Sequence, residues 1–267
     1  MGGILRELWG ARHFARFIAI KTLQKIYRRT LLGWAWLFIL PLFPFLLRTV
    51  LFGGLLNVPS HGRPYMLFLV AGSLCWDFFS SAVTWGTRGL QLHESTLKFV
   101  SVPRVVLPIA SMAPAFLDLA IKSVLLVGFG ILFEFLAPGR SLVWSTHVAW
   151  SPLAVLLAFL TALAVSLFTS VWGRRARDAR FTMGQLTAVL FLLTPVLYPM
   201  SSVPAEWHGW MMLNPLAASV ETFKWSVLGV GELPARALAT SFAVVGVALI
   251  GGLALYGEIE RRADDGE

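Results

Sequence analysis

The run SPLAVLLAFLTALAVSLFTSVW, residues 151–172, carries no Asp, Glu, Lys or Arg. A hydrocarbon core of about 30 Å takes roughly 20 apolar residues of helix to cross. Backbone polar groups find no water at that depth, so a run of this kind reads as a transmembrane α-helix. Residues 34–56, 66–86, 105–135, 181–197 and 235–256 are also predominantly apolar, with few charged residues, giving six expected spans. Composition agrees: 57% of the chain is hydrophobic and 13% charged, with a mean hydropathy of +0.73. Soluble domains carry about a quarter charged residues. The chain is expected to be an all-α membrane protein, with a cytoplasmic segment 1–33, a six-helix domain 34–256 and a cytoplasmic tail 257–267.

Orientation follows from where the cations fall. With six spans, seven Lys/Arg precede Gly33, three lie within 87–104, four within 173–180 and two follow Tyr256, so sixteen of the 22 are cytoplasmic. Arg63, Arg140, Lys224 and Arg236 fall outside, and Arg48 and Lys122 within spans. The positive-inside rule places both termini in the cytoplasm. A net charge of +8 then belongs to lipid headgroups and topology rather than to nucleic acid. The first apolar run opens too late for a cleaved leader, so the first span is expected to serve as an uncleaved signal.

Between the last two spans, a half-apolar stretch at about 200–232 is broken by Pro204, Asn214-Pro215, Glu221 and Lys224. It reads as an external re-entrant helical hairpin, tolerated at membrane depth only where protein or water covers its backbone. Tyr198, Trp207 and Trp210 suit a wet interface there. At the other end, Ala19, Ile20, Leu23, Ile26 and Tyr27 oppose Lys21, Lys25 and Arg28, the pattern of an amphipathic helix lying in the cytoplasmic interface. Part of that face could pack on protein instead, and a bend or a second short helix is expected within 6–16.

Ionisable residues inside spans are functional candidates. Asp118 and Lys122 stand four apart in the third span and can pair on one face, as a structural ion pair or a relay. Arg48 reads as a snorkelling cation. Asp77 has no partner near in sequence; it caps a helix break or bonds across a dimer. The aromatics Trp34 and Trp36 at one side and Trp207 and Trp210 at the other fit interfacial belts, or rings along which sugars slide. The lone Cys75, inside an apolar run, reads as a small buried hydrophobe. No phosphate-binding G-x-x-x-x-G-K-[ST] loop, H-E-x-x-H or C-x-x-C occurs, so the chain needs no cofactor or metal of its own and does not hydrolyse ATP through such a loop.

Several short motifs follow one another in order. Tyr27-Arg28-Arg29-Thr30-Leu31-Leu32-Gly33-Trp34-Ala35-Trp36, with Pro41 beyond, resembles the R-x-x-x-L-G-x-x-W…P entry to the first span of bacterial ABC-type polysaccharide exporter permeases. Ser101-Val102-Pro103-Arg104-Val105-Val106-Leu107-Pro108 resembles their F-P-R-x-x-L-P turn, and Arg177-Asp178-Ala179-Arg180 their R-D-x-[RK] turn. Thr194-Pro195-Val196-Leu197-Tyr198-Pro199, Leu213-Asn214-Pro215-Leu216 and Phe223-Lys224-Trp225 are similar to S-P-V-x-Y-P, N-P-L and F-R-W. Thr194, Lys224 and Val102 depart from the usual Ser, Arg and aromatic residue, and His93-Glu94-Ser95 replaces a small or Asn-rich stretch.

The resemblance implies a non-enzymatic permease subunit of the bacterial inner membrane. It would work as a homodimer with two copies of a separate ATPase that holds ATP and Mg. The implied cargo is an O-antigen, capsule or teichoic-acid chain on an undecaprenyl pyrophosphate carrier. Arg28, Arg29, Leu32 and Gly33 would form the lipid-pyrophosphate gate, unless the two arginines only anchor topology. The turns at about 92–102 and 173–181, with Glu94, Lys98, Arg104, Arg174, Arg175, Arg177, Asp178 and Arg180, would couple to the ATPase, and Trp34, Trp36, Tyr198, Trp207 and Trp210 would line the path. A permease for a drug or small lipid is the neighbouring alternative. An intramembrane enzyme acting on polyprenyl lipids would need clustered acids or histidines at one membrane face, and the sequence has none.

Overall fold

The computed structural model describes residues 10–27, 35–93, 102–143, 146–175 and 178–264. The described residues form ten α-helices in order: α1 Arg12–Tyr27, α2 Ala35–Arg48, α3 Tyr65–Leu92, α4 Val106–Ser111, α5 Ala113–Leu136, α6 Ser151–Arg175, α7 Asp178–Leu193, α8 Ala205–Met212, α9 Pro215–Leu228 and α10 Ala235–Asp264. α2 continues as a π-helix, Thr49–Leu55. No strand occurs among the described residues.

Five helical segments are long and apolar enough to cross a membrane: Phe38–Leu55, Tyr65–Leu92, Val106–Leu136, Thr146–Gly173 and Ala235–Arg261. They fall on five of the six expected spans. The sixth differs. The apolar part of α7, Phe181–Leu193, is shorter than a full crossing, because the chain leaves the helix at Thr194-Pro195 rather than continuing to Leu197.

α3 is the central post. Leu67 through Ala71, Leu74, Cys75 and Phe78 are fully buried, enclosed by α5, α6 and α9. Cys75 thus sits where its apolar setting placed it. Close approach here rests on small residues: a Cβ on Gly72 would lie 2.7 Å from the Val196 carbonyl oxygen, a backbone atom that cannot swing aside. Gly72→Ala is therefore expected to cost about 1–3 kcal/mol through overpacking, read as a lower melting temperature in detergent. By contrast, α2 buries little beyond Phe45 and exposes Leu40, Phe43, Val50 and Leu55. In a membrane that apolar face meets lipid or another subunit.

α1 packs on the bundle along a line through Phe14, Ile18 and Thr22, and part of its apolar pattern stays on the outside. Ile18 and Thr22 are buried, with Phe14 and Ala15 packed beside Ile18, Val105, Leu107 and Tyr256. Ala19 and Leu23 are only half-buried, and Ile20 is exposed beside Phe17, over whose ring the Lys21 ammonium lies at 5.6 Å. Phe14 and Ile18, which carry this contact, lie upstream of the amphipathic stretch 19–28. Within 6–16, Ala11 is a turn between the helical residues Gly10 and Arg12, and residues 6–9 lie outside the described ones. The docking surface is tied together by the buried Tyr256–Ser170 hydroxyl pair at 2.6 Å and by Glu260, which accepts from the Arg104 backbone N–H at 2.7 Å.

At the far end of α5, Arg63 donates to the carbonyls of Gly139 and Ser141, and Glu134 accepts from the Ser141 hydroxyl. Arg63, counted above only as a topological charge, thus clamps two loops together.

Candidate functional site

Two clusters of polar residues sit inside this apolar frame. The first stands near the middle of α3 and α5. Lys122 Nζ donates to Asp77 Oδ2 at 2.8 Å and to Asp118 Oδ2 at 2.7 Å. The Asp118 contact follows from the helix repeat, since residues four apart share a face. The Asp77 contact joins α5 to α3, so the acid without a partner near in sequence finds one 45 positions away. Side-chain exposures of 11% for Lys122, 22% for Asp77 and 32% for Asp118 leave the ammonium enclosed and the carboxylates partly open. They open onto a groove of about 430 Å³ between α2, α3 and α5.

The second cluster is a clasp built from the motifs at the end of α7. Lys224 is fully buried. Its ammonium donates to the Pro195 carbonyl at 2.9 Å, lies 2.5 Å from Glu221 Oε1 and stands 4.5 Å from the Phe68 ring centroid. Asn214 caps α9 by accepting from Leu216 N–H at 3.0 Å, and its amide donates to the Thr194 hydroxyl at 3.0 Å. Tyr65 donates to the Leu197 carbonyl at 2.7 Å and Tyr198 to that of Leu192 at 2.9 Å. Pro215 occupies the first turn of α9, and Gly229 ends it at φ +65°, a left-handed conformation that favours glycine.

Three motifs far apart in sequence therefore converge on one joint, with the Pro195–Tyr198 turn held against α3 and α9. Lys224 belongs to this joint rather than to an external loop. Asn214→Ala removes a helix cap and one link to Thr194. It is expected to lower stability by about 0.5–2 kcal/mol, measured by thermal unfolding in detergent.

The other candidate residues are spread over the molecule. Trp36 is half-buried on α2, while Trp207 and Trp210 stand exposed on α8. Among the described residues no ring contact joins these three. Asp178 is exposed in the first turn of α7, where an acid suits the helix dipole; Arg180 lies in the same turn. Arg174 and Arg175 end α6. Arg28, Arg29, Leu32, Gly33, Trp34, Glu94, Lys98 and Arg177 lie outside the described residues. The sequence reading missed the stacking of His147 on Trp225 at 4.5 Å, with Trp150 edge-on to the same ring. The aromatic in the Phe223-Lys224-Trp225 motif was its only visible signal.

Residues 15–228 match the family described as ABC-2 type transporter. The chain is 26% identical over 251 residues to the O-antigen export system permease protein RfbA of Myxococcus xanthus, covering 92% of each chain. It is 23% identical over 207 residues to a protein of that name from Klebsiella pneumoniae, covering 78% of this chain and 77% of the relative. The inner membrane transport permease YadH of Escherichia coli K12 is 24% identical over 243 residues, with 88% and 91% covered. With five apolar helices of crossing length and a match over most of its sequence, the chain belongs to the ABC-2 type transporter family, as a multi-pass membrane permease.

Proposed function

We propose that this permease exports a polysaccharide carried on undecaprenyl pyrophosphate across the inner membrane, driven by ATP hydrolysis on a separate subunit. What carries the reading is the near full-length similarity to relatives named as O-antigen export permeases. Membership of the ABC-2 family implies an ATPase partner in an ABC exporter. The working unit is a homodimer of this chain with two ATPase subunits. Both termini are cytoplasmic, α7 and the turn after it complete a sixth crossing, and α8 with α9 forms a re-entrant hairpin on the outer side.

In this scheme the basic segment before α2 meets the carrier at the inner leaflet. Arg28 and Arg29 pair with pyrophosphate oxygens, a bidentate geometry that guanidinium groups suit, and Leu32-Gly33 gates lateral entry. The turns at about 92–102 and 173–181 transmit ATPase closure. Trp34, Trp36, Tyr198, Trp207 and Trp210 border the route. The segment 1–33 acts as the interface unit, 34–256 as the permease domain and 257–267 as a tail.

Deleting the gene in its native host is expected to strip the polysaccharide from the cell surface and to accumulate lipid-linked glycan on the cytoplasmic leaflet. Full surface polysaccharide with a new drug sensitivity would favour the second reading, a small-molecule or lipid permease, which the similarity to a relative named only as a transport permease supports. The double substitution Arg28→Ala, Arg29→Ala is expected to abolish export while leaving dimer assembly intact, as read by surface immunoblot and by size-exclusion chromatography. Normal surface polysaccharide in that variant would remove the pyrophosphate role.

A further inference from the structure

The groove beside Lys122 is lined by a polar stripe at helical spacing on an otherwise apolar post. Asp77, Ser80, Ser81 and Thr84 share one face of α3, and Asp118 and Lys122 come from α5. Arg48 enters from α2, opposite them. The stripe from Asp77 to Trp85 covers about 12 Å of helix axis, at 1.5 Å per residue.

Much of the hydrogen-bonding capacity here is unspent. The Ser80 and Ser81 hydroxyls are partly exposed and make no hydrogen bond to a described residue. Lys122 uses one oxygen of each carboxylate, leaving Asp77 Oδ1 and Asp118 Oδ1 free of it. The Arg48 guanidinium rests on the Phe191 ring at 4.8 Å without a carboxylate partner among the described salt bridges. Polar groups left open to hydrocarbon cost several kcal/mol each, so lipid tails are the one medium that cannot fill this groove. It has to meet water or a polar ligand.

The charges narrow the ligand further. Two acids and two bases cancel, and Lys122 already occupies the space between the carboxylates. A metal cation would have to displace it, and an anion would meet the two acids. What remains is a neutral compound rich in hydroxyls, able to donate to carboxylate oxygens and to accept from serine and guanidinium. Trp85, lining the same groove, adds an aromatic face for apolar C–H surfaces. We infer that this groove is a water-filled station for a neutral sugar segment, placed at mid-membrane between α2, α3 and α5. The inference rests on the exporter reading and refines it, assigning neutral hexose chains rather than acidic ones to this site.

Cysteine accessibility tests it in the full transporter in membrane vesicles. Cys75 is fully buried, so a single Ser81→Cys reports above a low background. A charged, membrane-impermeant thiosulfonate is expected to modify Ser81→Cys at least tenfold faster than Val124→Cys, a control exposed on the outer face of α5. A neutral hexose oligosaccharide at tens of millimolar should slow the reaction at least threefold, and a uronate oligomer of equal length should not. Equal rates at the two positions would overturn a hydrated groove, and an absence of protection, or equal protection by both oligomers, would overturn the ligand. Neither result touches the exporter reading, which stands or falls on the surface polysaccharide of the deletion strain. If Ser81→Cys does not assemble, Thr84→Cys, on the same stripe, carries the same expectations.

Discussion

Lys122→Met is expected to lower the stability of the permease by about 1.5–3 kcal/mol, the range for losing charge-assisted hydrogen bonds, because both carboxylates open partly onto the groove. Two carboxylates, Asp77 and Asp118, now meet one ammonium at 2.8 and 2.7 Å. Without it they face each other in the middle of the bundle, with no other base bonded to them among the described residues. The single changes Asp77→Asn and Asp118→Asn should cost less, because Lys122 keeps one acid in each. The triple substitution Asp77→Asn, Asp118→Asn, Lys122→Met should recover much of the loss, since a neutral triad carries no uncompensated charge. Thermal unfolding of the four proteins in one detergent checks this order. A Lys122→Met protein as stable as the parent would mean that the triad does not tie α3 to α5.

The second large effect is expected at Lys224. Lys224→Met removes the bond to the Pro195 carbonyl and leaves Glu221, itself buried, without its counter-charge. A loss of about 3–5 kcal/mol follows, the cost of stranding buried charge when one partner of an ion pair is removed. Here the local consequence is distinct, because Lys224 holds the turn after α7 against α9 and Phe68. Hydrogen exchange should therefore rise first in residues 194–199 and in α8, before the α3–α6 core responds. Adding Glu221→Gln to Lys224→Met should return part of the stability and leave the turn loose. Uniform exchange across the chain would show that Lys224 supports the bundle as a whole rather than this joint.

The frame was legible in sequence because the membrane imposes it. Uninterrupted apolar runs of sufficient length admit only helix, and five such helices appear where the runs lie. The shortening of α7 was harder to read. Val196 and Leu197 are apolar and buried, yet they belong to a turn, and hydropathy does not separate a buried turn from the last turn of a helix. Polar pairings were the least legible. Asp77 and Lys122 are 45 positions apart, and nothing short of the packing of α3 on α5 brings them together. The clasp illustrates a different limit: Thr194, Asn214 and Lys224 were visible as motif residues, but a motif marks positions without saying what they hold. In the fold these residues secure a turn to the core, whereas the external hairpin seemed from sequence to be a working surface. The docking line of α1 runs through Phe14 and Ile18, upstream of the amphipathic stretch that begins at Ala19, so the pattern within that stretch does not reveal it.

The two sets of buried charges differ in their surroundings. The Lys224 ammonium is fully buried and bonded to the Pro195 carbonyl beside Glu221, as a joint requires. The triad around Lys122 is enclosed on one side and open on the other, as a wall facing a polar route requires.

Reconstitution tests the transport reading most directly. The permease, co-purified with its ATPase, would be placed in liposomes containing undecaprenyl pyrophosphate-linked glycan. Glycan exposed to a lectin added to the opposite side would then be measured with and without ATP. ATP-dependent exposure, abolished by Arg28→Ala with Arg29→Ala, is the expected result. Glycan that stays on its original leaflet in liposomes whose ATPase is active would contradict polysaccharide export.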